Sequence, residues 1–273
     1  MSEDDNEPEM PEERGKAIAR ADRRLTRRER ESRLLVKRSE DYQVFDNVFD
    51  VPTLLAINDL RSEGVIGEVK GSLAAGKESK VYLASAPDGT MLTLKIYLTV
   101  SAEFKKRMQY IAGDPRFSDI KRGSRSLMTT WARKEFKNMQ AAHAAGVRVP
   151  AAVAVKKNVL VMEYVTDSEG DAARPIGDLD VTDDDYQQVV EQVATLYQKA
   201  QLVHADMSEY NVFRSERGIM LFDFGSAVDI KHPNSKQFLV RDVQNINRFF
   251  EKRGIQTTDT ASIVEKIKKG DKF

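Results

Sequence analysis

The chain has 273 residues, of which 41% are hydrophobic and 32% are charged, enough for one sizeable domain or a two-lobed unit. Its 43 basic and 43 acidic residues give no formal net charge, and the absence of cysteine excludes disulfides and a cysteine nucleophile. No apolar run approaches the roughly 20 residues that span a bilayer, and the acidic N-terminus lacks the pattern of a signal peptide. We therefore expect a soluble, cytoplasmic protein with no membrane partner.

Charge is unevenly distributed over the first 40 residues, which we expect to form an arm. Residues 1–13 are acidic and contain no Lys or Arg, whereas residues 14–38 contain 11 Lys or Arg against 3 Asp or Glu. The acidic piece is predicted to be disordered. The basic piece has almost no apolar face, so it is either a solvated arm or an arm that docks on a polyanion such as RNA through phosphate contacts.

The next part of the chain, residues 41–165, is predicted to be rich in strands. Asp50, Pro52 and Gly64 predict the start and end of a short leading helix. Alternating apolar residues separated by turn signals predict five strands, which are Val65–Leu73, Lys80–Ala84, Met91–Tyr97, Ala151–Val155 and Val159–Val165. Between the third and fourth strands we expect two helices and a long mobile loop, namely Ser101–Tyr110, Ser126–Ala145 and, between them, Gly113–Gly123.

The remaining part, residues 166–273, is predicted to be mostly helical. A polar linker containing Gly170, Pro175 and Gly177 comes first. The acidic run from Thr182 to Asp185 predicts a helix start, and that helix reaches about Ala200. After a loop and a short hairpin, further helices are predicted near 236–252 and 259–269. This order predicts an α+β fold with two lobes, an antiparallel sheet in the first and a reduced helical second lobe, and a cleft between them.

A glycine-rich sequence at 71–79, G-S-L-A-A-G-K-E-S, almost matches the phosphate-binding loop G-x-x-x-x-G-K-[ST]. Glu78 replaces the hydroxyl that binds magnesium in that loop, and strand-like residues follow where a helix should begin. A strand–loop–strand cover over the phosphates of ATP suits this context better. An ordinary glycine hairpin is the alternative.

Two charged residues stand in apolar surroundings and are candidates for an ion pair. Lys95 alternates with Leu94 and Ile96 in a strand, so it points to the opposite face from them. Glu135 falls on one helical stripe with Trp131 and Met139, where a carboxylate is costly unless it is paired. We predict that Lys95 binds ATP oxygens and pairs with Glu135; an exposed lysine and a glutamate at the edge of its stripe are the alternatives.

Two motifs in the second lobe carry the strongest signal. The residues H-A-D-M-S-E-Y-N at 204–211 match H-x-D-x-x-x-x-N, and D-F-G at 223–225 begins twelve residues after Asn211. Asp206 can accept the proton of an attacking hydroxyl, while Asn211 and Asp223 can bind the magnesium ion that neutralises the charge of ATP. A structural hydrogen-bonding role is predicted for His204. The segment Leu160–Val165 resembles the hinge that binds adenine.

Taken together, these motifs resemble the RIO family of atypical protein kinases over about residues 40–255, and most closely its first subfamily in an archaeal-type form. The segments that carry the resemblance are Gly76–Tyr82, Leu94–Tyr97, Trp131–Phe136, Gly146–Pro150 and His204–Asn211. The resemblance implies a bilobal protein-kinase-like fold and a serine/threonine kinase or ATPase that uses ATP with Mg²⁺, or Mn²⁺ in its place. It also implies a role in maturation of the small ribosomal subunit, with the immature subunit and its RNA as partners.

The resemblance also implies roles for particular residues. Lys95 and Glu135 would form the ion pair, Asp206 would be the catalytic aspartate, and Asn211 and Asp223 would be the metal ligands, with Asp223 also a candidate phospho-acceptor. The residues implied around the nucleotide are Ser72, Lys77, Glu78, Ser79, Val81, Lys95, Met162, Glu163, Val165, Ser208 and Glu209.

Three functions remain open at this stage: a protein kinase acting on itself or on an unknown protein, an ATPase switch that controls assembly of an RNA particle, and a small-molecule kinase. Only 50 residues follow Asp223, so we expect no conventional platform for a peptide substrate. Ser208 stands where common serine/threonine kinases have lysine. The short C-terminal half disfavours a small-molecule kinase, which needs a large helical insert for its substrate.

Overall fold

The structure, a computed structural model, describes residues 49–76, 78–98, 110, 114, 116, 124–271 and 273. The predicted arm, Lys77, nearly all of the helix predicted at 101–110 and most of the loop predicted at 113–123 lie outside the described residues. The helices of the described part are α1 Val51–Ser62, α2 Ser124–Ala144, α3 Asp183–Gln198, α4 Ser235–Lys252 and α5 Thr260–Lys269. Its strands are β1 Glu68–Ala75, β2 Ser79–Ser85, β3 Met91–Tyr97, β4 Ala152–Lys156, β5 Val159–Glu163, β6 Arg174–Pro175, β7 Leu202–Val203, β8 Val212–Ser215, β9 Gly218–Leu221 and β10 Val228–Asp229.

Helix α1 begins where the sequence predicted. The Asp50 carboxylate accepts hydrogen bonds from the backbone N–H of Thr53, at 3.1 Å, and from its hydroxyl, at 2.6 Å. These bonds satisfy groups that an uncapped helix start leaves without partners. After the helix, Gly64 adopts a φ of 72°, a left-handed conformation that glycine reaches without steric cost.

The N-lobe is built on a five-stranded antiparallel sheet in the order β1-β2-β3-β5-β4. Strand β3 has the predicted bounds and is almost wholly buried, whereas β1 at the sheet edge is largely exposed. Strand β1 begins three residues later than predicted, because Val65 donates its N–H to Leu60 at the end of α1 instead of to a neighbouring strand. Helix α2 packs on β4 and β5.

The C-lobe is mostly helical. Thr182 caps α3 in a reciprocal capping box with Asp185, as the acidic run in the sequence indicated. Helix α3 packs against β9, β7 and α5, and α4 packs against α5. Large apolar side chains such as Phe250 and Ile263 fill the space between these helices and are almost fully buried. The two parts together confirm the predicted α+β, bilobal fold class.

The polar linker predicted between the lobes contains short regular elements that the sequence did not indicate. Strand β6 pairs with β8, and a 3-10 turn at Ile176–Asp178 follows it at once. A two-residue strand that contains Pro175 has no periodicity for the sequence to reveal. The described residues include no helix with the length and apolar character needed to cross a membrane.

Candidate active site

Lys95 lies at the centre of the candidate site. Its side chain is 9% exposed, and its Nζ lies 2.9 Å from Oε1 of Glu135 and 3.0 Å from Oδ1 of Asp223. Strand β3 contributes the lysine, α2 contributes the glutamate, and the segment after β9 contributes the aspartate. The predicted Lys95–Glu135 ion pair is confirmed, and the alternative of an exposed lysine is excluded.

Glu135 is buried in the stripe that the sequence predicted, beside Trp131 and Met139. Burial raises the pKa of Glu135 although Lys95 lowers it, and its Oε2 atom has no hydrogen-bond partner among the described residues. For Lys95, burial lowers the pKa, but the carboxylates of Asp223 and Glu135 outweigh it and the net pKa is raised. Lys95 therefore remains a cation at neutral pH, and its positive charge favours the ionised form of Glu135 against the effect of burial.

The loop 204–211 joins β7 to β8 and is bonded directly to the residues next to Asp223. Nε2 of His204 lies 2.8 Å from the carbonyl oxygen of Phe222, and its ring meets Phe224 edge-on at 5.0 Å between centroids. The carbonyl of Asn211 accepts a 2.9 Å hydrogen bond from the N–H of Phe222. These contacts confirm the structural role predicted for His204 and fix the loop that carries Asp206 to the segment that carries Asp223.

Helix α4 anchors the same loop from the other side, through a residue that the sequence reasoning missed. Asp242 accepts hydrogen bonds from the backbone N–H of Ala205 at 2.7 Å and of Met207 at 3.1 Å, the two neighbours of Asp206. Asn245 donates a 3.0 Å bond to the carbonyl of Met207. These bonds hold Ala205 at a φ of 64°, a strained conformation for a residue that has a Cβ. The available signal was an aspartate on the apolar face of the predicted helix at 236–252.

Asp242 makes a testable contribution to stability. Burial raises the pKa of Asp242 to about 6, although His204, the two backbone N–H groups and Arg241 lower it. A folded-state pKa above the unfolded value contributes stability that is complete below about pH 4 and is lost as the pH rises through about 6. We expect the stability of the wild type relative to Asp242→Asn to fall by about 2 kcal/mol between pH 4 and pH 7, measured by urea unfolding. A difference that does not change with pH would contradict this.

Of the residues predicted around the phosphates, those that the structure describes lie on the hairpin formed by β1 and β2. The N–H of Gly76 donates to the carbonyl of Ser79 at 2.9 Å, which closes the connection between the strands. Ser72 is exposed on β1, and Glu78 and Val81 are half-buried. Because a strand follows the loop, the strand–loop–strand interpretation holds and the helix of a Walker-type loop does not form here.

The residues predicted to line the adenine site lie on β5 and just after it. Met162 and Val165 are buried. The side chain of Glu163 is engaged elsewhere, since its carboxylate accepts bonds from the N–H of Ala151 at 2.9 Å and from Arg217 at 2.5 Å. The backbone N–H of Glu163 is engaged as well, since it donates to the carbonyl of Ala151 at 2.9 Å, and a contact of Glu163 with a nucleotide stays a prediction.

Two further predicted nucleotide-binding residues, Ser208 and Glu209, lie on the loop 204–211 and are half-buried. Their carbonyl groups accept backbone hydrogen bonds, Ser208 from Asn211 at 3.0 Å and Glu209 from Gly177 at 3.2 Å. Their backbones thus help to shape the loop, and contact of these two residues with a nucleotide stays a prediction.

The donor atoms of the site suit a magnesium ion. Asp223 has a φ of 59° and a side chain that is 37% exposed. The amide nitrogen of Asn211 is engaged by the carbonyl of Asp206 at 2.8 Å, so its amide oxygen is the atom left for a cation. Within the described ranges, no three His, Asp or Glu side chains cluster as a self-sufficient metal site. A carboxylate and an amide oxygen fit Mg²⁺, which takes its other ligands from phosphates and water.

Comparison with known sequences identifies the family. The RIO domain family matches residues 80–263. The RIO-type serine/threonine-protein kinase Rio1 of Haloferax volcanii is 38% identical over 86% of this chain and 82% of its own length. The rio1 kinase of Schizosaccharomyces pombe is 34% identical over 82% of this chain and 46% of its own length. The RIO1 kinase of Homo sapiens is 30% identical over 84% of this chain and 41% of its own length. The chain thus spans less than half of these two eukaryotic relatives.

Solved structures show the same fold. The Rio2 kinase of Chaetomium thermophilum, 24% identical, superposes with a TM-score of 0.60 over 81% of this chain and 68% of its own. Its complex with ADP, Mg²⁺ and phosphoaspartate superposes with a TM-score of 0.59 over 80% of this chain and 65% of its own. The Rio1 relatives agree with the predicted first subfamily and archaeal type, and this chain belongs to the RIO family of serine/threonine-protein kinases.

Proposed function

We propose that this chain transfers the terminal phosphoryl group of ATP, as its Mg²⁺ complex, to the hydroxyl of a serine or threonine in a protein or in the chain itself. The proposal rests on the position of Lys95, whose Nζ lies between the carboxylates of Glu135, at 2.9 Å, and Asp223, at 3.0 Å. This arrangement brings a cation for phosphate oxygens and a carboxylate for a metal ion into direct contact.

In this proposal each lobe supplies one part of the chemistry. Glu135 orients the Lys95 ammonium group, which binds oxygens of the triphosphate. Asp223 and Asn211 hold the metal, and the Mg²⁺ ion, when bound, supplies the charge that neutralises the triphosphate. The oxygen of the serine or threonine hydroxyl bonds to the terminal phosphorus, and Asp206 accepts the proton of that hydroxyl. The bond between the terminal phosphorus and the bridging oxygen breaks, and ADP leaves.

A second candidate is an ATPase switch, and Ser208 favours it. A lysine at this position in common serine/threonine kinases is replaced here by a residue with no charge. The Rio2 neighbour was solved as a phosphoaspartate complex with ADP and Mg²⁺, and we extend this to Asp223 as a candidate acceptor. Its carboxylate would attack the terminal phosphorus, ADP would leave, and water would then hydrolyse the acyl phosphate, so that the net reaction is ATP hydrolysis.

We further propose that the partner of this chain is the immature small ribosomal subunit with its RNA, in the cytoplasm. The family resemblance and the basic stretch at 14–38, with 11 Lys or Arg against 3 Asp or Glu, support this. Such a stretch can neutralise phosphates by releasing their counterions, so its binding should weaken steeply with salt.

The ratio of phosphate incorporated into protein to ATP hydrolysed tests these proposals. We expect the full chain with Mg-ATP to turn over ATP and label serine or threonine, and to change its rate when immature small subunits are added. Hydroxylamine cleaves an acyl phosphate but not phosphoserine, so it separates the two acceptors. Hydrolysis in large excess over stable labelling would favour the ATPase switch. No turnover under any of these conditions would reject both functions, and a rate indifferent to the particles would reject the partner.

A further inference from the structure

The backbone turn that follows Asp223, residues 224–227, is held to helix α2 by hydrogen bonds from two side chains. Nζ of Lys134 donates to the carbonyl oxygen of Gly225 at 2.9 Å and also to that of Ala227. The amide nitrogen of Asn138 donates to the carbonyls of Phe224 and Ala227, each at 2.9 Å. Lys134 and Asn138 are one helical turn apart on α2, and together they hold three carbonyl groups of the turn.

Both side chains are fully buried at the contact. Lys134 and Asn138 have no measurable exposed surface, and burial lowers the pKa of Lys134 to about 7. The turn lies so close to α2 that a Cβ at Gly225 would come within 2.5 Å of the indole nitrogen of Trp131. Glycine is therefore required at this position by the close approach of the helix.

A third contact sets the orientation of the Asn138 amide. Arg116 donates to its oxygen at 2.8 Å, and Arg116 is itself held by Asp114 through bonds of 2.9 and 2.6 Å. With its oxygen engaged by a cation, Asn138 must turn its two N–H donors towards the carbonyls of the turn. These bonds thus form one connected network of polar groups, in which Arg116 is half-buried and the other side chains are buried, and such a network favours one arrangement.

We propose that Lys134 and Asn138 are positioning residues that lock the turn after Asp223 to helix α2, so that the metal-binding aspartate and the Lys95–Glu135 pair move as one unit. Glu135 lies between them in the sequence of α2 and holds Lys95, which in turn contacts Asp223. The helix therefore fixes Asp223 twice, through its side chain by way of Lys95 and through its backbone by way of the turn. This inference rests on the proposed role of Asp223 in binding Mg²⁺.

The test compares Asn138→Leu with Asn247→Leu in the full chain. Asn247 is also buried, and it also joins three groups, through bonds to Thr258, Thr260 and Tyr186, but within the C-lobe away from the turn. The readout is nucleotide affinity from calorimetry, measured for ATP with Mg²⁺ and for ATP in EDTA. We expect Asn138→Leu to reduce the gain in affinity from Mg²⁺ by about tenfold, the usual effect of losing a group that orients a metal ligand. Asn247→Leu should keep the full gain, and both variants should lose thermal stability.

A milder variant covers the case in which Asn138→Leu does not fold. The double variant Asp114→Asn/Arg116→Met leaves Asn138 in place and removes its orienting donor together with the buried carboxylate that Arg116 pairs with, so a smaller loss in the same direction is expected. An unchanged gain from Mg²⁺ in the folded variants, while the wild type shows a clear gain, would overturn the inference and leave the proposed function standing. No gain from Mg²⁺ in the wild type itself would overturn the proposed function and this inference with it.

Discussion

Asp223→Asn is expected to lower the turnover of Mg-ATP by about 10³-fold or more, because a lost metal ligand removes several kcal/mol of charge stabilisation. The variant keeps the size of the side chain and its left-handed backbone remains accessible, since asparagine tolerates this conformation. Lys95 loses one of its two carboxylate partners but keeps Glu135 at 2.9 Å. The loss should therefore appear in both the affinity for Mg-ATP and the rate, while the affinity for ATP in EDTA does not fall.

A matched control is Asp229→Asn. Asp229 lies six residues further along on β10, where its carboxylate accepts a 2.8 Å bond from the N–H of Lys231. We expect normal turnover in this variant, which separates the effect of losing Asp223 from the effect of changing any nearby aspartate. Full activity of Asp223→Asn would reject the metal role and, with it, the phosphoaspartate route.

Asp206→Asn is expected to lower the rate of phosphoryl transfer by about 10²- to 10⁴-fold, the usual contribution of a general base. The backbone around Asp206 is held by Asp242 and Asn245, so the substitution should leave the loop in place. Because Asp206 is assigned to the proton and not to the metal, the affinity for Mg-ATP should stay within about twofold of wild type. Single-turnover labelling together with calorimetry gives the two numbers.

The two aspartate variants together form the sharper experiment. Asp223→Asn should lose both binding of Mg-ATP and turnover, whereas Asp206→Asn should lose turnover alone. If Asp206→Asn instead weakens the binding of Mg-ATP as strongly as Asp223→Asn does, then Asp206 belongs to the metal site and the assignment of roles must be revised. Turnover at the wild-type rate in Asp206→Asn would reject it as the base.

The sequence predicted the local parts of this fold because each rests on signals within a few residues. The Asp50 cap of α1, the capping box of α3 and strand β3 are set by neighbouring side chains and by alternation. The ion pair of Lys95 with Glu135 could also be predicted, because a carboxylate in an apolar stripe needs a cation and a strand lysine supplied one. Motif spacing singled out Asp206, Asn211 and Asp223, and their roles stay predictions that the substitutions test.

Only the tertiary structure decided which groups hold those residues in place. Lys134 and Asn138 bind the turn after Asp223 from 86 to 93 residues away in the sequence, and Asp242 binds the loop of Asp206 from 35 to 37 residues away. Their partners are backbone carbonyl and N–H groups, which every residue has and no motif marks. The sequence by itself therefore determined the local elements and singled out the candidate residues of the site, whereas the packing of α2 and α4 against two loops determined which groups hold those residues in place.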